Sequence, residues 1–92
     1  MNYVVYIIKH DPSGKFYIGQ TEDIDKRLKE HNEGKSGFTG KLGGSWTIVY
    51  KEYLPNRSDA IKRELFLKKQ RNRSFYLHLI QGFNIRSGSS VG

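Results

Sequence analysis

The sequence predicts an α+β domain: a three-stranded antiparallel sheet flanked by helices, in the order β-β-α-β-α-α. Three observations carry that expectation. Two β-branched and aromatic runs, Tyr3-Val4-Val5-Tyr6-Ile7-Ile8 and Lys15-Phe16-Tyr17-Ile18, flank a cluster of turn formers. A third run, Trp46 to Tyr53, carries apolar residues on both alternating faces, which suits a sheet covered by helices on two sides. Between and after the strands, two stretches repeat apolar residues at helical spacing.

The first two runs, 3–8 and 15–18, are expected to pair as a hairpin. Pro12 presets the turn backbone and Gly14 lets the chain leave it. Such a hairpin sets the phenols of Tyr6 and Tyr17 on one face. Gly19 is expected to end the second strand. A helix should follow from about Asp23 to Glu33, capped by Thr21 or Asp23 and stopped by Gly34. Glu22, Asp23 and Asp25 place negative charge at its positive end. Ile24, Leu28 and His31 recur along it, and Arg27 lies one turn from both Ile24 and His31.

Lys35 to Ser45, with Gly37, Gly40, Gly43 and Gly44, reads as a mobile loop. After the third strand, Pro55-Asn56-Arg57 turns the chain and Ser58 is a suitable cap. A second helix from about Asp59 to Lys69 is expected to bury Ala60, Ile61, Leu65 and Leu67. Ser74 would cap a short third helix, Phe75 to Gln81, ended by Gly82. Residues 1–82 then form one domain and 83–92 a flexible tail.

Ninety-two residues suffice for one small core. There is no cysteine, which excludes disulfide staples and zinc–thiolate sites and is compatible with a reducing cytoplasm. The longest apolar run, Tyr3 to Ile8, is too short for a membrane span or signal peptide, so a cytoplasmic protein without a membrane partner is expected. Sixteen Lys and Arg against nine Asp and Glu leave +7, the footprint of a polyanion binder. Much of the excess lies between Arg57 and Arg73, where Lys62, Arg63, Lys68, Lys69, Arg71 and Arg73 are candidate nucleic-acid contacts. The plainer account of that run is a solvated helix face.

Val4-Val5-Tyr6, ten residues, then Tyr17-Ile18-Gly19 resembles the two-part signature of the GIY-YIG nuclease family. Val4 stands where the family name has glycine, as in its small stand-alone bacterial branch. Val4, Val5, Ile18 and Gly19 would then be the structural members of the signature. The resemblance extends to Arg27 and His31 and, through Ser58-Asp59-Ala60-Ile61-Lys62-Arg63, to Glu64. It covers roughly residues 3 to 81. Two positions depart from the pattern: Gln20 stands where several members have lysine, and Asn72 lies at short spacing from Glu64 for the family's late asparagine.

The resemblance implies a DNA endonuclease with a catalytic set of Tyr6, Tyr17, Arg27, His31 and Glu64. Glu64 would be the metal ligand for one Mg²⁺ or Mn²⁺, since magnesium keeps most of its shell as water. Arg27 would grip the scissile phosphate through fixed donors that stay charged. Tyr6 would take the proton of the attacking water, although an ordinary phenol, with a pKa of about 10, is seldom ionised at neutral pH. A neighbouring cation must lower it, or the proton must be relayed. Tyr17 would orient the phosphate, and His31 would relay a proton or make a second phosphate contact.

Each residue also has an ordinary structural role. Arg27 can pair with Glu30 or Asp23, Glu64 with Lys68, and His31 can sit against the negative end of its helix. Weak sequence specificity is expected, because no separate recognition module follows, and branched or single-stranded DNA is the candidate substrate structure. The alternatives are a nucleic-acid-binding module that keeps the fold without turnover, or a basic scaffold protein with RNA preference. Oligomeric state stays open.

Overall fold

The computed structural model describes residues 3–11, 13–33 and 45–88, with side chains as far as residue 83. Its elements are β1 (Tyr3–Asp11), β2 (Phe16–Thr21), α1 (Ile24–Asn32), β3 (Ser45–Leu54), α2 (Arg57–Gln70) and α3 (Arg73–Gly88). The three strands form one antiparallel sheet in the order β2-β1-β3, which is the expected architecture.

β1 is central and longer than the expected 3–8. Lys9, His10 and Asp11 stay extended because β3 continues to pair with them, His10 opposite Trp46 and Asp11 opposite Ser45. The hairpin closes where Gly14 adopts φ 77° and its N–H donates to the His10 carbonyl at 2.7 Å. Pro12, expected to preset this turn, lies outside the described residues.

Gly19 does not break β2. It sits within the strand opposite Tyr6, and Ile8 sits opposite Tyr17. Opposed residues share a face, so Tyr6 and Tyr17 project from the same side of the sheet, diagonally across the strand pair.

β3 carries an irregularity that its sequence pattern hides. Ile7 pairs with Tyr50 but Ile8 pairs with Ile48, so Val49 is the extra residue of a bulge. Trp46 and Ile48 therefore join Val4, Tyr6 and Ile8 on one face, with Ile24 and Leu28 of α1 packed on them. Val49, Tyr50 and Leu54 join Val5, Ile7 and Ile18 on the other, under Ala60 and Leu67 of α2 and Phe75, Tyr76 and Leu79 of α3. The expected alternation from Trp46 to Glu52 on one face fails at this bulge.

The helix ends also differ from expectation. Asp23 caps α1 by accepting from the Lys26 N–H at 3.1 Å. Gly34 and the expected loop from Lys35 lie outside the described residues until Ser45 begins β3. Asn56, two residues before Ser58, caps α2, its Oδ1 accepting from the Asp59 N–H at 2.8 Å. Asn72 rather than Ser74 caps α3, accepting from the Phe75 N–H at 3.3 Å. α3 runs through Gly82 to Gly88, since that glycine stands in open space without the left-handed backbone that would end a helix.

On α2, Ala60 and Leu67 are fully buried as expected, but Ile61 is 38% and Leu65 52% exposed. One residue is about 100° on a helix, which carries Ile61 and Leu65 away from the face that Ala60 and Leu67 share. Among the described residues no helix is long and apolar enough to cross a membrane.

Candidate active site

The site forms where β1, β2 and α1 meet. Tyr6 projects from the middle of the central strand and is only 1% exposed. It can lie over β2 because Gly19 stands opposite: a Cβ there would come 2.6 Å from the Tyr6 Oη and 2.8 Å from its Cζ. The glycine is thus a space for the phenol, which is why it stays within the strand.

α1 brings His31 onto the same face. His31 is 2% exposed, and its Nε2 lies 3.1 Å from the Tyr6 hydroxyl. The Tyr17 ring meets His31 edge-on at 5.1 Å, and Trp46 closes the group with its centroid 6.3 Å from both His31 and Tyr17. The Asn32 side chain fixes the end of α1. Its Oδ1 accepts from the Trp46 N–H at 2.7 Å and its Nδ2 donates to the Trp46 carbonyl at 3.2 Å. His10, buried beyond Trp46, lies tilted against the indole with ring centres 5.0 Å apart and is hydrogen-bonded to Ser13.

Arg27, one turn before His31, brings its positive charge to bear on the Tyr6 phenol and opposes the rise of its pKa. It also pairs with Glu30 at 3.1 Å, so its anticipated structural partner is present as well. A cavity of about 340 Å³ opens onto Arg27 between the end of β2 and α1, with Gln20, Lys26 and Glu30 in its lining. Lys26 therefore brings a cation to the opening that Gln20 does not provide.

Glu64 projects from α2, which packs against β2 and β1. Its side chain is 18% exposed and accepts an ion pair from Lys68 at 2.6 Å, again the anticipated structural partner. α2 covers the face of the sheet opposite the one from which Tyr6 projects, and the Glu64 charge is the weakest of the influences on that phenol.

These surroundings set the protonation states. Burial, above all, pushes the Tyr6 phenol up to about 12, with the charges of Tyr17 and Glu64 adding to the rise and Arg27 opposing it. Burial also lowers His31 below the ordinary histidine value, and the Arg27 charge lowers it further. The imidazole is consequently neutral near pH 7. A neutral ring does little for a helix dipole, so the end-of-helix role does not account for His31.

Of the other expected site residues, Val4, Val5 and Ile18 are core residues that hold the hairpin in place. Lys62, Lys68, Lys69 and Arg71 are exposed on α2 or at its end. Arg63 instead donates to Glu52 of β3 and lies over the Phe66 ring, 5.2 Å from its centre. Arg73 lies 4.6 Å over Phe16 and donates to the Gly14 carbonyl at 3.2 Å. Both guanidinium groups are thus engaged in holding elements together.

Among the described residues there is no group of three or more His, Cys, Asp or Glu side chains that could hold a metal ion. The donor set fits a largely hydrated hard cation on the single Glu64 carboxylate and does not fit a paired-metal centre. Sequence reasoning missed Asn32, Trp46 and His10 as parts of the site. Trp46 carried a signal, a large aromatic spaced from Ile48 on one strand face, but Asn32 carried none beyond its place beside His31.

A family model described as the GIY-YIG catalytic domain matches residues 2–77. A UPF0213 protein of Clostridium perfringens is 36% identical over 86 residues, covering 94% of this chain and 89% of that protein. A UPF0213 protein of Staphylococcus saprophyticus is 36% identical over 64 residues, 70% of this chain and 77% of that one. The solution NMR structure of a UPF0213 protein from Bacillus halodurans is similar with a TM-score of 0.58 and 26% identity, over 97% of this chain and 94% of that one.

Proposed function

The chain belongs to the GIY-YIG family, and on that premise we propose that it is an endonuclease that hydrolyses DNA phosphodiesters with the help of one divalent cation. The observation that supports the reading is the Tyr6 hydroxyl 3.1 Å from Nε2 of a neutral His31, with the Arg27 charge acting on both groups. That is a proton-accepting group beside a phosphate-binding one.

A phenol pushed up to about 12 does not hold a negative charge at neutral pH, so Tyr6 acts as a relay. The attacking water gives its proton to the Tyr6 oxygen as the Tyr6 proton passes to His31 Nε2, with His31 in the tautomer protonated at Nδ1. The water oxygen bonds to phosphorus, the phosphorus–oxygen bond to the leaving nucleoside breaks, and that oxygen takes a proton from solvent. Arg27 binds the non-bridging phosphate oxygens, exchanging Glu30 for the substrate. Tyr17, edge-on to His31, orients the same phosphate. Mg²⁺ or Mn²⁺ on Glu64 would supply Lewis-acid stabilisation of charge on the departing oxygen.

Phosphate contacts from Lys62, Lys68, Lys69 and Arg71 give affinity without sequence information, so weak sequence specificity follows. A chain without cysteine fits a reducing cytoplasm. A second reading, a nucleic-acid-binding module without turnover, draws support from the Arg27–Glu30 and Glu64–Lys68 pairs, which occupy two of the reactive groups.

Plasmid and branched DNA incubated with wild type and Glu64→Ala, in Mg²⁺, Mn²⁺ or EDTA, separates the two. Nicking by wild type that vanishes in EDTA and in the variant supports the enzyme. Salt-dependent binding with no cleavage under any metal supports the module.

A further inference from the structure

Resting on the reading of the chain as a nucleic-acid enzyme, we propose that Leu65, supported by Ile61, is an apolar wedge for unpaired nucleobases beside the candidate site. The preferred substrate class is then DNA with an open or branched segment, not continuous duplex.

Ile61 and Leu65 are 38% and 52% exposed and lie four residues apart, so they share one face of α2. The core on that helix is supplied by Ala60 and Leu67, and neither Ile61 nor Leu65 belongs to the two core clusters or to the residues packed against them. Their helix neighbours Lys62, Lys68 and Lys69 are exposed cations. Leu65, Lys68, Lys69 and Arg71 together line a depression of about 370 Å³. Lys68 belongs to its rim and also pairs with Glu64 at 2.6 Å, so the depression adjoins the candidate metal carboxylate.

The depression is built before any ligand arrives. The Tyr76 hydroxyl donates to the Leu67 carbonyl at 2.7 Å and accepts from the Arg71 N–H at 3.2 Å, stapling the end of α2 to α3.

Charge decides the occupant. A second copy of this chain would set the Lys62, Lys69 and Arg71 charges against their own kind. A polyanion with exposed apolar faces fits both parts at once: phosphates on the cations, bases on the leucine and isoleucine. In duplex DNA the base faces are stacked away, and an aliphatic wedge reaches them only where the stack is opened.

The test is fluorescence anisotropy in EDTA at one salt concentration, with a single strand, a three-way branch and a blunt duplex of equal length. Wild type is expected to bind the single strand and branch more tightly than the duplex. Leu65→Ser should weaken those two by about fivefold or more and leave the duplex unchanged. Leu65→Met, which keeps the apolar bulk, should restore the preference, and Lys69→Gln should weaken all three alike. Equal loss on all probes, or none, overturns the wedge while leaving the nuclease reading intact. Self-association of wild type that Leu65→Ser abolishes, with DNA binding unmoved, assigns the face to a second copy and also overturns it. Binding to none of the probes removes the nuclease reading and the wedge with it.

Discussion

The Tyr6 hydroxyl lies 3.1 Å from Nε2 of His31, with both rings almost wholly removed from water. Twenty-five residues separate them, and the contact exists because β1 runs under α1. Burial keeps the phenol protonated and the imidazole neutral, so in the tautomer protonated at Nδ1 the Tyr6 hydroxyl donates to Nε2.

Replacing His31 by alanine should therefore cut DNA cleavage by about 10²- to 10⁴-fold and leave DNA binding in place. Wild-type activity should persist below the ordinary histidine pKa of about 6.5 and fall as pH drops through the lowered His31 value. Stability follows the same sign. Because folding lowers the His31 pKa, its contribution is present above about pH 6.5 and is lost on acidification through the folded value. A pH–rate profile and urea midpoints across that window, for wild type and His31→Ala, check both.

Gly19→Ala should move the phenol. Its Cβ would meet the Tyr6 Oη at 2.6 Å, the Cζ at 2.8 Å and Tyr17 Cε1 at 3.2 Å. Both rings are packed, so the loss should be about 1–3 kcal/mol in urea unfolding, with activity falling further than stability alone explains.

Asn32 and Asn72 should part company. Asn32→Ala removes two hydrogen bonds to the Trp46 backbone and leaves that N–H without its partner, a cost of about 1–3 kcal/mol. With Asn32 gone, the end of α1 that carries His31 is released, and cleavage should fall too. Asn72→Ala removes only a helix cap, about 1 kcal/mol, and should leave cleavage per folded molecule unchanged.

The basic residues should divide into two classes. Lys62→Gln and Lys69→Gln should weaken DNA binding and reduce the salt slope by about one each, with unfolding unaffected. Arg63→Gln and Arg73→Gln should act chiefly on stability. The first takes the cation from Glu52, which keeps its hydrogen bond from the Tyr50 hydroxyl, and the second removes the contacts with Phe16 and Gly14. Titrations at several salt concentrations beside denaturant curves distinguish them.

The element order and the shared face of Tyr6 and Tyr17 were legible from residue periodicity, because alternation in strands and recurrence in helices are local properties. The Val49 bulge was not, since it is decided by which β1 residue β3 meets. Ile61 and Leu65 misled for a related reason: their spacing is helical, but only packing chooses which face turns inward. Gly19 was read as a break because isolated glycine usually weakens a strand, and its steric role depends on a tyrosine from the neighbouring strand. Arg27 and Glu64 each have the anticipated ion-pair partner, Glu30 and Lys68, and each also acts electrostatically on Tyr6. Sequence spacing alone could not separate those roles, because one side chain fills both.

If Glu64 and the Tyr6–His31 pair serve one metal-assisted site, Mn²⁺ bound at Glu64 should broaden the His31 ring resonances of isotope-labelled protein. These signals are expected to broaden in wild type and stay sharp in Glu64→Ala at the same Mn²⁺ concentration. Signals that stay sharp in both proteins, or broaden equally in both, rule out a shared site.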